Sequence, residues 1–335
     1  MAFEFENSES VEAGIRRIVD EQLEAALADL NVSDPKDADA AVHAARKRFK
    51  RIRAVLRVVR KELGEPAFNR ENVAFRDGGG SLSEARDAHV LVMTLDTLKD
   101  HVDPEPFTAA RKLLMTRRRA VKKRILEEGN GLETVAQVVR DARERASAWT
   151  IPSHGWPALK PGLKRIYRDG RTAFTQSEIG GHADLFHEWR KRTKDLWHQL
   201  ELLEPLWPQL LKPLADQFHD LADHLGNEHD LAVLKQVLEA DALARANGAP
   251  AIVDAIEAKR IDLQREAKSL GALLFAEKPT AFVRRLGKYW RAWKSQAATE
   301  PEETIKLDAP PPPSPVEPAA PDADPEPVAG SGAGS

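Results

Sequence analysis

Cysteine is absent from this chain of 335 residues. Its absence excludes disulfide bonds, thiolate metal sites and cysteine nucleophiles, and it is compatible with a reducing cytosol. No apolar run is long enough to span a bilayer. The first ten residues, MAFEFENSES, are acidic and polar and do not follow the order of a secretion signal. We therefore expect a cytoplasmic protein that has no membrane partner.

A strong net charge is also missing, because the formal charge at pH 7 is only −3. This average hides two regions of opposite sign. Residues 300–335 contain eight acids and one base, a net charge of −7, so residues 1–299 carry +4. The last segment is rich in proline, alanine, glycine and serine and has little apolar surface to bury. This composition predicts a disordered acidic tail over 300–335.

Alternation between apolar and polar residues never lasts long enough to predict a sheet. In residues 1–299, apolar side chains instead recur at intervals of three and four, with Leu, Ala, Glu, Arg and Lys between them. Clusters of proline and glycine divide this pattern into successive helices. The sequence therefore predicts an all-α domain over 1–299, with a link rich in Pro, Gly and Trp, 149–162, near its middle.

Three motifs occur twice in the same order. GIRRI, which begins at Gly14, returns 148 positions later as GLKRI. The pattern His-x-x-Arg-Lys-x-x-Lys begins at His43 and again 144 positions later. LSEARDAHVL is followed 143 positions later by LGNEHDLAVL. Together they predict a duplicated helical unit with about four helices in each copy, over about 8–148 and 157–295.

The second of these motifs opens a segment of unusual charge. HAARKRFKRIRAVLRVVRK, residues 43–61, contains nine Lys or Arg and no acid. On a helix, its apolar residues form one stripe that can dock in a bundle, and its cations form a second stripe beside the first. The basic stripe consists of His43, Arg46, Lys47, Lys50, Arg53, Arg57 and Arg60. The stripe in the second copy consists of His187, Arg190, Lys191, Lys194 and His198.

Like charges one helical turn apart are unfavourable unless an anion lies among them. Neighbours on a helix face are about 5–6 Å apart, which is close to the phosphate spacing of a polyanion. Arg offers planar, bidentate contacts to phosphate and Lys a mobile point charge, a mixture that suits a long and variable polyanion. Further cations lie on the two repeated opening helices, namely Arg16, Arg17, Lys164, Arg165 and Arg168.

A basic helix begins with His-x-x-Arg-Lys-x-x-Lys in each copy, and a helix with the motif Leu-x-x-x-[Arg/His]-Asp follows it each time. This order of motifs resembles the CHAD family (conserved histidine α-helical domain). The resemblance covers roughly residues 8–295. It implies two four-helix bundles related by internal pseudo-twofold symmetry. It also implies a basic central cavity that binds inorganic polyphosphate, and an association with polyphosphate granules. The Glu-x-Glu-x-Lys signature of a triphosphate tunnel domain is absent, so the chain resembles a stand-alone member.

Motif by motif, the resemblance implies a set of polyphosphate-binding residues. They are His43, Arg46, Lys47, Lys50 and Arg53 in the first half, His187, Arg190, Lys191 and Lys194 in the second, and Arg86 and His229 on the following helices. Asp87 and Asp230 are expected to orient neighbouring cations. The run Gly78-Gly79-Gly80 departs from the family pattern, in which the third helix continues at this place. We expect this run to form a break or a loop.

Other functions stay open. His219-Asp220, His224 and His229-Asp230 lie in one region, as in a metal-dependent phosphohydrolase, but the chain has no Glu-x-x-His motif for a helical di-metal site. Nucleic-acid binding would share the phosphate contacts but would need exposed aromatic residues among the cations. A scaffold role without ligand is a further alternative. Because no nucleophile–base pair, phosphate loop or dinucleotide fingerprint is present, we expect a binding module that is not an enzyme and has no cofactor.

Overall fold

The computed structural model describes residues 3–31, 38–81, 83–124, 131–180, 182–242, 244 and 248–297. Within these ranges the protein is all-α, as the periodicity predicts, with eleven helices of 14 residues or more and no strand. In chain order the helices are α1 Val11–Leu30, α2 Ala38–Val58, α3 Arg60–Ser81, α4 Ser83–Asp96, α5 Pro104–Lys122, α6 Gly131–Ser147, α7 Trp156–Ile179, α8 Ala183–Leu203, α9 Pro208–Ala240, α10 Ala249–Leu274 and α11 Pro279–Ala297.

Proline, glycine and serine set several helix boundaries. The Ser10 hydroxyl caps α1 by accepting a hydrogen bond of 3.1 Å from the backbone N–H of Ala13. Proline is the first residue of α5, α9 and α11, where its missing N–H has no role in the helix. Gly64, with φ at +73°, kinks α3 after its first turn.

The glycine run of α3 corrects one expectation. Gly78, Gly79 and Gly80 do not interrupt the helix, which continues to Ser81. Gly78 and Gly79 are buried and lie against the ring of Phe49 on α2. This packing outweighs the low helix propensity of glycine. The boundary between α3 and α4 therefore falls after the glycines and not at them.

Two apolar cores hold the helices together. The larger core combines α1, α2, α3, α6, α7, α8, α11 and the ends of α9 and α10 that lie near them. Trp189 and Tyr167, both fully buried, are among its largest side chains. The smaller core joins α4 and α5 to the C-terminal half of α9 and the N-terminal half of α10, with Leu95, Leu234 and Ile252 at its centre. Because each core uses helices from both copies, the duplicated units do not each enclose a core of their own, and the two-bundle arrangement stays a prediction.

The two basic helices, α2 and α8, cross each other through a reciprocal pair of ion pairs. Arg57 Nη1 lies 3.1 Å from Asp195 Oδ1, and Arg51 Nη2 lies 3.1 Å from Glu201 Oε1. Arg51 and Asp195 are 144 positions apart, as are Arg57 and Glu201, which is the offset of the basic-helix motif. Such an exchange of equivalent residues is the contact pattern of a twofold relation. At these positions the two copies have diverged to opposite charges that attract.

The repeated glycine of the opening motif occupies a close approach in both copies. A Cβ atom at Gly162 of α7 would lie 2.0 Å from the carbonyl oxygen of Val58, so α7 meets the end of α2 at backbone distance. A Cβ atom at Gly14 of α1 would lie 2.6 Å from Glu9 Oε1 in the N-terminal segment. A larger residue at position 162 would force α7 and the end of α2 apart, whereas at position 14 it would displace the side chains of Glu9 and Phe5.

All described residues belong to one unit, Met1–Thr299. The segment 300–335, and with it the prediction of a disordered tail, lies outside the described residues. Within the described ranges, none of the helices has the length and apolar character that crossing a membrane requires.

Candidate functional site

Helices α2, α4, α8 and α9 enclose a cavity of about 530 Å³, which we call the central cavity. Both copies of both predicted motifs contribute to it. From the basic helices come His43, Arg46, Lys50, His187, Arg190 and Lys194. From the following helices come Arg86, Asp87, His229 and Asp230. Residues that are 143 or 144 positions apart in sequence therefore face the same volume.

The charges around the central cavity are unbalanced. Five cations line it, Arg46, Lys50, Arg86, Arg190 and Lys194, together with three carboxylates, Asp87, Asp223 and Asp230. In the described part of the chain, none of these five cations has a carboxylate oxygen within 4.0 Å, the limit for an ion pair. Arg46 instead donates a hydrogen bond to the Gly79 carbonyl, and Arg190 Nε is buried without an acceptor. The cations thus have unused capacity to bind an anion.

Crowding of the cations changes their protonation. Burial and then the neighbouring Lys194 lower the pKa of Lys50 to about 7. Burial and then Arg190 lower the pKa of Lys194 to about 8. Lys50 nevertheless remains exposed to solvent in the cavity, and this solvent screens part of the effect. Partial burial and like charge both disfavour the ammonium form, so a bound anion would restore it.

Three histidines share the cavity with these cations. The rings of His187 and His229 lie 4.4 Å apart between centroids, and His187 Nδ1 is buried without a partner. Burial, then Arg190, lowers the pKa of His229 to about 4. Burial, then Arg86, also lowers the pKa of His43. Because a neutral imidazole still has one N–H donor, these residues can donate hydrogen bonds to anionic oxygens at neutral pH.

A second, smaller cavity of about 280 Å³ adjoins the first, and we call it the side cavity. Lys50, Arg190 and Lys194 line both cavities. The other residues of the side cavity are Arg53, Arg57, Lys191, Arg192, Asp195 and His198. The described residues therefore give it seven cations and a single carboxylate. Burial, then Arg57, lowers the pKa of Arg53 to about 10, and Arg53 Nε donates to Asn72 Oδ1 at 3.1 Å.

Three predicted residues of the basic stripes, Lys47, Lys191 and His198, do not line the central cavity, although the last two line the side cavity. Lys47 is exposed on α2 and lines neither cavity. Lys191 forms an ion pair with Glu188 at the surface. His198 is 2% exposed and places Nδ1 2.7 Å from Glu201 Oε2. Its burial lowers the pKa of this histidine, and its ring stacks on Trp197 with 4.3 Å between centroids. His198 is thus a hydrogen-bonded wall residue.

The predicted cations of the opening helices do not join the cavities. Arg16 Nε donates to the Trp149 carbonyl at 2.7 Å, and Arg17 Nη2 pairs with Glu9 Oε1 at 2.8 Å. Arg168 pairs with the adjacent Asp169 at 2.8 Å, and Lys164 is exposed. Arg165 Nη2 lies nearer, donating to the Arg57 carbonyl at 3.3 Å. The structure therefore brings together the residues of the basic helices, while α1 and α7 use their cations for other contacts.

Several lining residues escaped the sequence analysis, among them Asp223, Asn227, Arg192 and Asp195. For two of them, Asp223 and Asn227, the spacing in sequence indicated a place beside a predicted site residue. Asp223 and Asn227 precede Asp230 by seven and three positions on α9, so the three share one helix face. Arg192 and Asp195 had no such signal, because their position in the side cavity depends on where α8 crosses α2.

The histidines proposed for a metal site do not converge. Along α9, residues 219, 224 and 229 are five positions apart, so each points about 140° from the previous one. His219 Nδ1 lies 3.6 Å from Asp223, and His224 Nδ1 lies 3.2 Å from Glu266. The described residues contain no group of three or more His, Asp or Glu side chains that could hold a metal ion. The metal-dependent alternative thus gains no support from the geometry.

Comparison with known proteins gives a family assignment. A family model described as CHAD domain matches residues 19–239. This range is about two thirds of the chain and contains every residue that lines either cavity. No curated protein matches the chain. Because the match spans both copies of the basic-helix motif and the fold is all-α, the chain belongs to the CHAD family.

Proposed function

We propose that this protein binds inorganic polyphosphate in the central cavity. The observation that carries the proposal is the set of five cations from α2, α4 and α8 that face one volume of about 530 Å³ without a carboxylate ion pair among the described residues. Polyphosphate is a dense, flexible line of negative charges that can meet cations on several helices at once. Membership of the CHAD family supports the same ligand.

The lining favours a phosphate chain over a nucleic acid. Single-stranded nucleic acids are bound by cations together with aromatic rings on which the bases stack. Apart from the histidines, no aromatic residue lines either cavity in the described part of the chain. The large rings of α8 serve the core instead, since Trp189 is fully buried and Trp197 packs on His198. We therefore expect polyphosphate to be preferred to nucleic acids of similar charge.

We further propose that the protein acts by binding and not by hydrolysis, and that binding places it at polyphosphate granules in the cytoplasm. Granule association follows from the family resemblance. Microscopy of the labelled protein in cells with and without polyphosphate tests it, and an unchanged distribution would contradict it. Incubation with long-chain polyphosphate and assay for released orthophosphate tests the absence of hydrolysis.

A competition titration tests the binding proposal. Labelled long-chain polyphosphate is bound to the protein and displaced with unlabelled polyphosphate, single-stranded DNA or ATP at matched phosphate concentration. We expect polyphosphate to compete best and the affinity to fall steeply with salt, since many counterions are released. Equal competition by DNA would refute the preference.

Variants locate the site. Arg190→Gln and Lys50→Gln each remove a cation of the central cavity, and each should weaken binding by about tenfold or more, the effect of a charge-assisted hydrogen bond. Lys212→Gln is the matched control, because Lys212 is exposed on α9 and lines neither cavity. If all three variants bind equally well, the central cavity is not the site.

A further inference from the structure

We propose that the side cavity binds the continuation of a polyphosphate chain held in the central cavity, and that the Asp195 carboxylate restricts this subsite to long chains. The inference rests on the proposed function and adds a length preference to it. Its starting point is that Lys50, Arg190 and Lys194 line both cavities. A linear polyanion that leaves the central cavity beside these residues enters the side cavity directly.

The cations of α2 continue in series from one cavity to the next. Lys50, Arg53 and Arg57 follow each other at steps of three and four, so they lie on one helix face. From Lys50 to Arg57 the helix advances about 10 Å. Among the described residues, Arg53 has no carboxylate within 4.0 Å and donates only to the neutral amide of Asn72. Its guanidinium group is therefore available to a phosphate that arrives from the central cavity.

Asp195 already occupies part of the side cavity as an internal anion. Among the described residues it is the only carboxylate that lines this cavity, and its Oδ1 lies 3.1 Å from Arg57 Nη1. Both side chains are largely buried, at 13% and 15% exposure. Burial raises the pKa of Asp195, although Arg57 and then Arg192 act against this shift. A phosphate that binds Arg57 must compete with this carboxylate and is repelled by it.

Chain length decides whether the phosphate wins this competition. A free orthophosphate or a short chain meets the Arg57–Asp195 pair from bulk solution. A phosphate tethered to a chain already bound in the central cavity has a much higher effective concentration at the pair. Long chains therefore gain the Arg53 and Arg57 contacts, and short chains fill the central cavity alone.

The reciprocal ion pair at the crossing of α2 and α8 supplies a control. Arg51 and Glu201 are equivalent to Asp195 and Arg57 in the repeat and are also 3.1 Å apart, but neither lines the central cavity or the side cavity. Glu201→Gln thus removes a comparable tie between the two helices, and its amide oxygen keeps an acceptor for His198, the one residue of the side cavity that Glu201 contacts among the described residues. A further tie, from Gln199 Nε2 to the Ala54 carbonyl at 3.3 Å, remains in every variant.

The experiment is a titration of the full-length protein with orthophosphate, tripolyphosphate and fractionated chains of increasing length at fixed ionic strength. Affinity per chain of the unaltered protein should rise in two stages as the two cavities fill. Arg53→Gln should remove the second stage, with about tenfold weaker binding of long chains and unchanged binding of tripolyphosphate. Asp195→Asn should tighten long-chain binding by about three- to tenfold and leave tripolyphosphate unchanged. Glu201→Gln should change neither.

Several results would overturn the inference. It fails if Arg53→Gln weakens short and long chains by the same factor, or if Asp195→Asn and Glu201→Gln have the same effect. If Asp195→Asn has a melting temperature too low for titration, Arg53→Gln decides the question, since Arg53 has no ion pair at the crossing. By contrast, failure of the unaltered protein to bind any chain would refute the proposed function itself.

Discussion

Binding of polyphosphate should weaken as the pH rises from 6 to 9, because Lys50 loses its proton within this range. Burial and the surrounding cations set its pKa near 7 in the ligand-free protein. Charged and titratable groups face it from every helix of the central cavity, namely His43 and Arg46 on α2, Arg86 and Asp87 on α4, His187, Arg190 and Lys194 on α8, and Asp223, His229 and Asp230 on α9. A bound polyanion neutralises these cations and returns the pKa of Lys50 towards its ordinary 10.5.

The size of the effect follows from the proton linkage. With a pKa of about 7, roughly one Lys50 side chain in a hundred is protonated at pH 9 in the free protein. Full protonation in the complex would therefore make binding about a hundredfold weaker at pH 9 than at its low-pH limit. Lys194, with a pKa of about 8, adds up to about another tenfold. These factors are upper values, because Lys50 is exposed to solvent that screens part of its pKa shift, and because both lysines are assumed to be fully charged in the complex.

The assay is isothermal titration with long-chain polyphosphate at constant ionic strength, because the internal phosphates of a long chain keep their charge over this pH range. Near pH 8 binding should take up about one proton or slightly more, which is seen as a dependence of the heat on the ionisation enthalpy of the buffer. Lys50→Arg, which stays charged at all these pH values, should bind at pH 9 and lose most of the pH dependence.

Lys212→Arg is the control for this substitution, because Lys212 is exposed outside both cavities. It should keep the pH dependence of the unaltered protein. A flat pH profile for the unaltered protein would refute the reasoning. So would a Lys50→Arg variant whose slope matches that of Lys212→Arg, since the proton would then come from another group.

Three further outcomes concern stability and the division of roles along α2. Without ligand, Lys50 keeps its proton up to about pH 10.5 in the unfolded chain but releases it near pH 7 in the folded protein, so the stability of the fold should rise with pH between these values. In calorimetry, Lys50→Met should therefore raise the melting temperature at pH 7 and make the stability depend less on pH. Gly162→Ala should lower the free energy of unfolding in urea by about 1–3 kcal/mol, while Gly80→Ala, with no atom within 4 Å of its added Cβ, should be neutral or slightly stabilising. Lys47→Glu should weaken polyphosphate binding far less than Lys50→Glu at physiological salt, and equal losses would show that the exposed edge of α2 also binds the chain.

Local sequence was sufficient for the fold class and for the principal residues of the central cavity. The spacing of three and four places His43, Arg46 and Lys50 on one face of α2 whatever the helix packs against. The second copy places His187, Arg190 and Lys194 in the same way on α8. Apolar stripes beside these faces fix which side of each helix turns towards the core. That the two basic faces meet in one cavity was implied by the resemblance to the CHAD family and not by the periodicity.

Tertiary structure alone decided which cations face a cavity, which of them have an ion-pair partner and how their pKa values shift. Lys47 and Lys50 share a stripe and are both exposed to solvent, yet only Lys50 lines the central cavity, because the neighbouring helices α4, α8 and α9 lie beside one edge of α2. Arg17 was indistinguishable in sequence from a binding residue, but Glu9 lies beside it. Asp195 became a lining residue through the crossing of α2 and α8. Helical periodicity fixes directions about a single axis, whereas distances and burial between segments about 144 residues apart depend on how the axes pack.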